Sequence, residues 1–357
     1  MNRKLFVIII ILILLAIPAT LMLVSGELFP EPVKPYKVAV VTDTDNIGTI
    51  YVRTGVAGVE LASRQSELPI ASTLYVAKNA TDESFSETFY DALAEGEQLI
   101  VIPGFQGQAM ALNVARNDSN LSFVTVDGQS LDGLPSNYAN IAYRSNEPSF
   151  VAGYLAGMMS DTDTLGFLGG VQIDSVTVFY YGFKAGIDVA SAMKNKPITL
   201  ISSYANSFVD EDLGYQLASN MYAKGADNVF TVAGDTGLGG IQAAKDMDKY
   251  VIGVDVDQNY LAPKNVLCSV VKDLQNVIAT VVLEYAGGND YDRQQISVGY
   301  AENSLGLASI IDAVPPELLD RIKKLEDGIA QGIIVVPGTE EEYNQWSPAK
   351  AIAILND

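Results

Sequence analysis

The sequence predicts an α/β protein built as two doubly wound lobes, and three observations carry that expectation. Apolar runs of strand length alternate with runs of helix length, as in parallel sheets covered on both faces. The alternation completes one cycle between Val38 and Val126 and begins again at Thr164. The chain has 357 residues, enough for two such units, each with its own core.

The elements follow in order. Val38–Thr42 reads as a buried strand and Gly55–Arg64 as a helix. Gln98–Pro103 is a strand, Gln106–Asn117 a helix and Leu121–Val126 a strand. In the second unit Thr164–Leu168 is a strand and Val176–Met193 a helix, then Ile198–Ser202 and Glu211–Lys224 repeat the pair. Asn228–Val232, Gly237–Met247 and Tyr250–Val254 complete it as strand, helix and strand. The strand runs are nearly continuous in apolar residues, as burial on both faces requires.

In open sheets of this kind, ligands sit beyond the carboxyl ends of the strands. Those ends carry Asp43, Gly104-Phe105-Gln106, Asp127, and Gly169-Gly170. In the second unit they carry Phe208 a few residues past Ser202, Gly234-Asp235, and Asp255 with Asp257. Carboxylates accept hydrogen bonds from hydroxyl or ring N–H donors, and aromatic faces cover flat or apolar ones. A neutral or polar ring ligand fits that set, whereas an anion would be repelled. Each of these acids also reads as an ordinary cap or turn former. Gly169-Gly170 reads as a tight turn, Asp210 as the cap of the helix from Glu211, and Glu147 and Phe150 as parts of the first hinge.

Composition removes whole classes of function. The net charge is −21, from 43 acidic and 22 basic residues. Such a surface repels phosphate backbones, so no nucleic-acid partner is expected. No histidine is present, which excludes a Ser-His-Asp triad and His-based zinc sites. The single cysteine, Cys268, lies in an apolar run and reads as a small core residue. There is no P-loop and no Gly-x-Ser-x-Gly elbow. No catalytic residue, cofactor or metal is expected, and the chain is read as a non-enzyme.

The N-terminus has a targeting pattern. Met1–Lys4 is basic and is followed by an apolar run of 20 residues, Leu5–Val24. That is long enough to span a bilayer, with the N-terminus inside. A cleaved signal has a shorter core of roughly 7–15 residues, so the run favours a retained anchor over a signal peptide. Phe29–Pro35 is proline-rich and reads as a stiff spacer. The expected location is the cell membrane, with everything from about Tyr36 on the extracytoplasmic side.

Several motifs in order resemble one family. Leu165–Gly170, Tyr181–Ile187, Gly225–Asp227, Ala233–Gly237, Gly253–Pro263, Ser269–Lys272 and the stretch from Gly306-Leu-Ala to Pro337 look like the basic-membrane-protein (PnrA-like) family of ABC-importer binding proteins. The resemblance spans roughly Tyr36 to Pro337. It implies a type I periplasmic-binding fold with two lobes joined by a hinge. The expected division is 1–26 as signal or anchor, 27–35 as linker, 36–143 plus 270–298 as the first lobe, 144–269 plus 299–337 as the second, and 338–357 as a tail.

The resemblance also implies a nucleoside ligand, most often a purine nucleoside, and permease and ATPase subunits as partners. Carried over residue by residue, Asp43 and Asp127 match positions that hydrogen-bond the base. Phe208 matches a residue that stacks on it, as does Tyr51 if one residue is deleted before it. Asp255 matches the position that holds ribose hydroxyls, Lys272 a basic partner that would keep Asp255 ionised, and Gly234 a position beside the sugar. Asn46 in the first loop, Phe105 and Asp235 complete the candidate ligand-binding set. Two features depart from the family: the first loop, Thr44–Tyr51, and Asp235, where the family often has a second glycine. They keep open an alternative, a binding protein or sensor for another small polar ligand such as a sugar.

Overall fold

The computed structural model describes residues 33–43, 49–118, 121–289 and 294–356. The apolar run Leu5–Val24 and Asn46 lie outside the described residues. Among the described residues no helix is long and apolar enough to cross a membrane.

Two six-stranded sheets organise the chain. The first lobe holds β1 (Tyr36–Asp43), α1 (Ile50–Gln65), β2 (Ile70–Ala77), α2 (Asp82–Ala94), β3 (Leu99–Pro103), α3 (Gln108–Asn117), β4 (Ser122–Val126) and β5 (Tyr138–Tyr143). The second holds α4 (Asn146–Met159), β6 (Thr164–Gly169), α5 (Asp174–Lys194), β7 (Thr199–Tyr204), α6 (Glu211–Ala223), β8 (Asn228–Val232), α7 (Thr236–Asp246), β9 (Tyr250–Asp255) and β10 (Val266–Lys272). The chain then returns to the first lobe for α8 (Leu274–Ala286) and β11 (Gln295–Val298) and ends on the second with β12 (Leu305–Ala308), α9 (Pro316–Ala330), α10 (Glu340–Gln345) and α11 (Ala349–Asn356).

The strand orders are β11-β5-β4-β3-β1-β2 and β12-β10-β9-β8-β6-β7. All pairings are parallel except β10 with β12. Every residue of β3 and β8 is buried, and β3 is legible as an unbroken apolar run. By contrast, β2 lies at a sheet edge and is exposed at Ala71–Leu74, so its signal is weak.

In the second lobe, α4 and α5 pack with their backbones in near contact. A Cβ on Gly153 would stand 2.1 Å from the Phe183 carbonyl oxygen, and one on Gly186 would stand 1.9 Å from that of Phe150. Only glycine permits this approach. The tail closes the same lobe: Trp346 packs edge-on against Phe150 at 5.9 Å, and its indole N–H donates to the Val335 carbonyl at 3.0 Å.

Three segments connect the lobes: residues 144–145, Asp273, and 299–304. Arg144 ties the first to the third. Its guanidinium donates to Glu147 and Glu302 at 2.6 Å each and to the Ser297 carbonyl at 2.7 Å. The second oxygen of Glu147 accepts the Tyr300 backbone N–H at 2.8 Å. Gly299 is enclosed by this network: a Cβ there would lie 2.3 Å from Glu147 Oε2 and would displace it.

Candidate functional site

The carboxyl ends of the strands of both lobes face one cavity of about 350 Å³. Thr42, Gly104 and Asp127 reach it from the first sheet, and Val232, Asp255 and Lys272 from the second. The first turns of α1, α5 and α7 also point into it. The positive ends of these helix dipoles lie beside the cavity carboxylates. Thr49 caps α1, accepting the Val52 N–H at 3.3 Å, and so fixes the turn that presents Tyr51.

A triad forms the floor. The Lys272 ammonium lies 2.6 Å from Asp127 Oδ2 and 3.2 Å from Asp255 Oδ1, and its side chain is only 6% exposed. It also stands 4.8 Å from the centre of the Phe179 ring. Tyr51 donates its hydroxyl to Asp127 Oδ2 at 2.7 Å. Both donors use the same oxygen, and Asp127 Oδ1 has no hydrogen bond among the described residues.

The charges account for the titration behaviour. Burial alone would lower Lys272, but the two carboxylates outweigh it and hold the ammonium above its ordinary value. Burial raises Asp255; Lys272 pulls it back only in part, and the like charge of Asp127 adds to the rise. The expectation that Lys272 serves Asp255 therefore needs adjustment, because its shorter contact is with Asp127 and one ammonium is shared between two carboxylates. Burial, then the charges of Asp127 and Asp255, push the Tyr51 phenol well up, so it remains a donor.

Asp127 and Asp255 have positive φ, +69° and +66°. Non-glycine residues visit that region at a cost of about 1–3 kcal/mol, and such strain concentrates at functional sites. Here it turns each side chain out of the end of its strand. The two carboxylates, held in this way on opposite sheets, face one cavity.

The aromatic end is formed by Phe105 and Phe208, from opposite lobes, with ring centres 6.1 Å apart and planes tilted by 59°. Glycines seat Phe208. A Cβ on Gly170 would meet its ring at 2.4 Å, and Gly234, at φ +57°, would place a Cβ 2.9 Å from its carbonyl oxygen. Gly170, read from sequence as a turn, thus also sets the position of an aromatic in the cavity.

Of the ten candidate residues, Tyr51, Phe105, Asp127, Phe208, Gly234, Asp235, Asp255 and Lys272 all line this cavity. Asp43 ends β1, fully buried and outside the lining, and Asn46 lies outside the described residues. Sequence reasoning missed Arg53, Ser175, Phe179 and Tyr260, which also line it. Arg53 and Ser175 sit in the first turns and Phe179 in the second turn of helices facing the cleft, positions that strand-end reading does not inspect. Asp210 does cap α6, accepting the Leu213 N–H at 3.0 Å.

Known proteins match this architecture. The model of the PnrA-like ABC transporter substrate-binding protein family matches residues 37–340. The chain belongs to that family. Basic membrane protein A of Borreliella afzelii is 30% identical over 314 residues, 87% of this chain and 94% of that protein. Basic membrane protein B of Borreliella burgdorferi is 34% identical over 255 residues, 70% of this chain and 72% of its own length. Among solved structures, an ABC transporter solute-binding protein from Aeropyrum pernix K1 superposes with a TM-score of 0.74 at 19% identity, covering 90% of this chain and 98% of that one. The resemblance read from the motifs is therefore borne out, as is the two-lobed periplasmic-binding fold. Membership in the PnrA-like family makes the chain an extracytoplasmic solute-binding protein and not an enzyme.

Proposed function

We propose that the chain is the nucleoside-binding subunit of an ABC importer, taking a purine nucleoside between its lobes. The observation that carries this reading is the pairing, within one cavity, of cross-cleft aromatics with a carboxylate–ammonium triad. A flat base matches the aromatic end, where stacking contributes about 1–3 kcal/mol per base. A ribose diol matches Asp255, because both hydroxyls can donate to a carboxylate, at about 1.5–3 kcal/mol per charge-assisted bond. Closure of the lobes about the hinge would bury the ligand, and the closed form would dock on a permease driven by an ATPase. Attachment to the membrane through Leu5–Val24 belongs to the same proposal.

A second reading, a sugar or other small polar ligand, is favoured by the state of the rings. A planar base between two aromatics needs about 7 Å, two van der Waals contacts, and Phe105 and Phe208 stand 6.1 Å apart and tilted. The nucleoside reading therefore requires these rings to part and turn as the ligand enters.

Mass spectrometry of the natively purified protein, followed by denaturation and analysis of the released small molecule, separates the two readings. A released nucleoside supports the first. A released sugar with no base refutes it in favour of the second.

A further inference from the structure

The mouth of the cleft carries an opposite charge pair that neither the triad nor the aromatics use. Arg53, in the first turn of α1, is exposed and lines the cavity from the first lobe. Asp235, preceding α7, is half-buried and lines it from the second. Asp235 occupies the N-cap position of α7 yet makes no capping hydrogen bond, so local helix chemistry does not account for its carboxylate. Arg53 has no ion pair among the described residues. The two are beyond ion-pair contact; burial raises the Asp235 carboxyl, and the Arg53 charge offsets that rise only in part. Arg53 is exposed and Asp235 half-buried, whereas the Lys272 side chain is 6% exposed and lies one residue before the crossing at Asp273, so the pair sits nearer solvent than the floor.

We propose that Arg53 and Asp235 form a cross-cleft latch: they come into contact as the lobes close and hold the mouth shut over the bound ligand. Rotation about a hinge displaces the mouth more than the floor, so a pair placed there gains most from closure. Guanidinium and carboxylate can meet through two parallel hydrogen bonds, which fix orientation as well as distance. In the open form the pair is solvated and worth little. In the closed form it loses water and strengthens, so it favours the closed state whatever the ligand is.

The test uses the full-length protein with Arg64→Cys and Lys245→Cys, both exposed and on opposite lobes, each carrying a spin label; Cys268 is buried and stays unlabelled. Interlobe distances are measured without ligand and with guanosine. Arg53→Asp and Asp235→Arg are each expected to lower the ratio of closed to open molecules by about 3- to 10-fold. The double variant Arg53→Asp/Asp235→Arg should restore that ratio, and 0.5 M NaCl should shift the parent towards open but Arg53→Asp, where two carboxylates repel, towards closed. The latch is overturned if the double variant shows the sum of the single effects, or if neither single variant changes the ratio. The ligand-free arm reads the latch even if guanosine does not bind, in which case only the nucleoside reading fails.

Discussion

Replacement of Lys272 by methionine tests the triad directly. The substitution keeps the apolar stem and removes the ammonium that lies 2.6 Å from Asp127 and 3.2 Å from Asp255. The Lys272 side chain is only 6% exposed, so the two carboxylates lose a close and largely desolvated partner. Two charge-assisted contacts at about 1.5–3 kcal/mol each and the usual cost of breaking a buried pair, about 3–5 kcal/mol, agree on a loss of about 3–5 kcal/mol. Urea unfolding at pH 7.5, followed by circular dichroism, measures it. The double variant Lys272→Met/Asp255→Asn should lose less than the single one, because only one carboxylate is then left uncompensated. A loss below about 1 kcal/mol for Lys272→Met, or no recovery in the double variant, would refute the triad as a buried, coupled unit.

Other expectations follow from the same geometry. Phe208→Ala and Phe105→Ala should each weaken nucleoside binding by about 10- to 100-fold, the equivalent of one stacked face, measured by calorimetry. Gly170→Ala forces a Cβ to within 2.4 Å of the Phe208 ring and should weaken binding through ring displacement, with a stability loss of about 1–3 kcal/mol. Asp255 titrates above its ordinary value. Between those two values the folded protein holds a proton that the unfolded chain lacks, so this group's contribution to stability grows as pH falls and is lost as pH rises through the folded value. Ligand hydroxyls need the ionised form, so affinity should fall on acidification through the same window, and Asp255→Asn should flatten that dependence. Gly299→Ala, which sets a Cβ 2.3 Å from Glu147 Oε2, should cost about 1–3 kcal/mol and alter the extent of lobe closure, seen by small-angle scattering.

The buried parallel strands were legible because burial on both faces leaves mostly apolar runs, unbroken in β3. The edge strands β2 and β11 were not: β2 is largely exposed and β11 has only four residues, so neither carries a strong period. The cavity residues at strand ends, such as Asp127 and Asp255, could be found because the fold dictates where ligands sit. The positive φ that directs both carboxylates cannot be read from an aspartate in a sequence. Phe179 and Arg53 escaped for another reason: the N-terminal turns of helices reach the cavity only through the docking of one element on another. The sharing of Lys272 between two carboxylates depends on contacts across the cleft, from β4 to β10, and no local pattern encodes it.

Calorimetric titration tests the central claim most directly, using protein unfolded and refolded to strip any carried ligand, against inosine, guanosine, adenosine, cytidine, uridine and ribose. The account predicts binding of the purine nucleosides with little response to ribose. Binding of ribose alone, or of nothing in the panel, would contradict it.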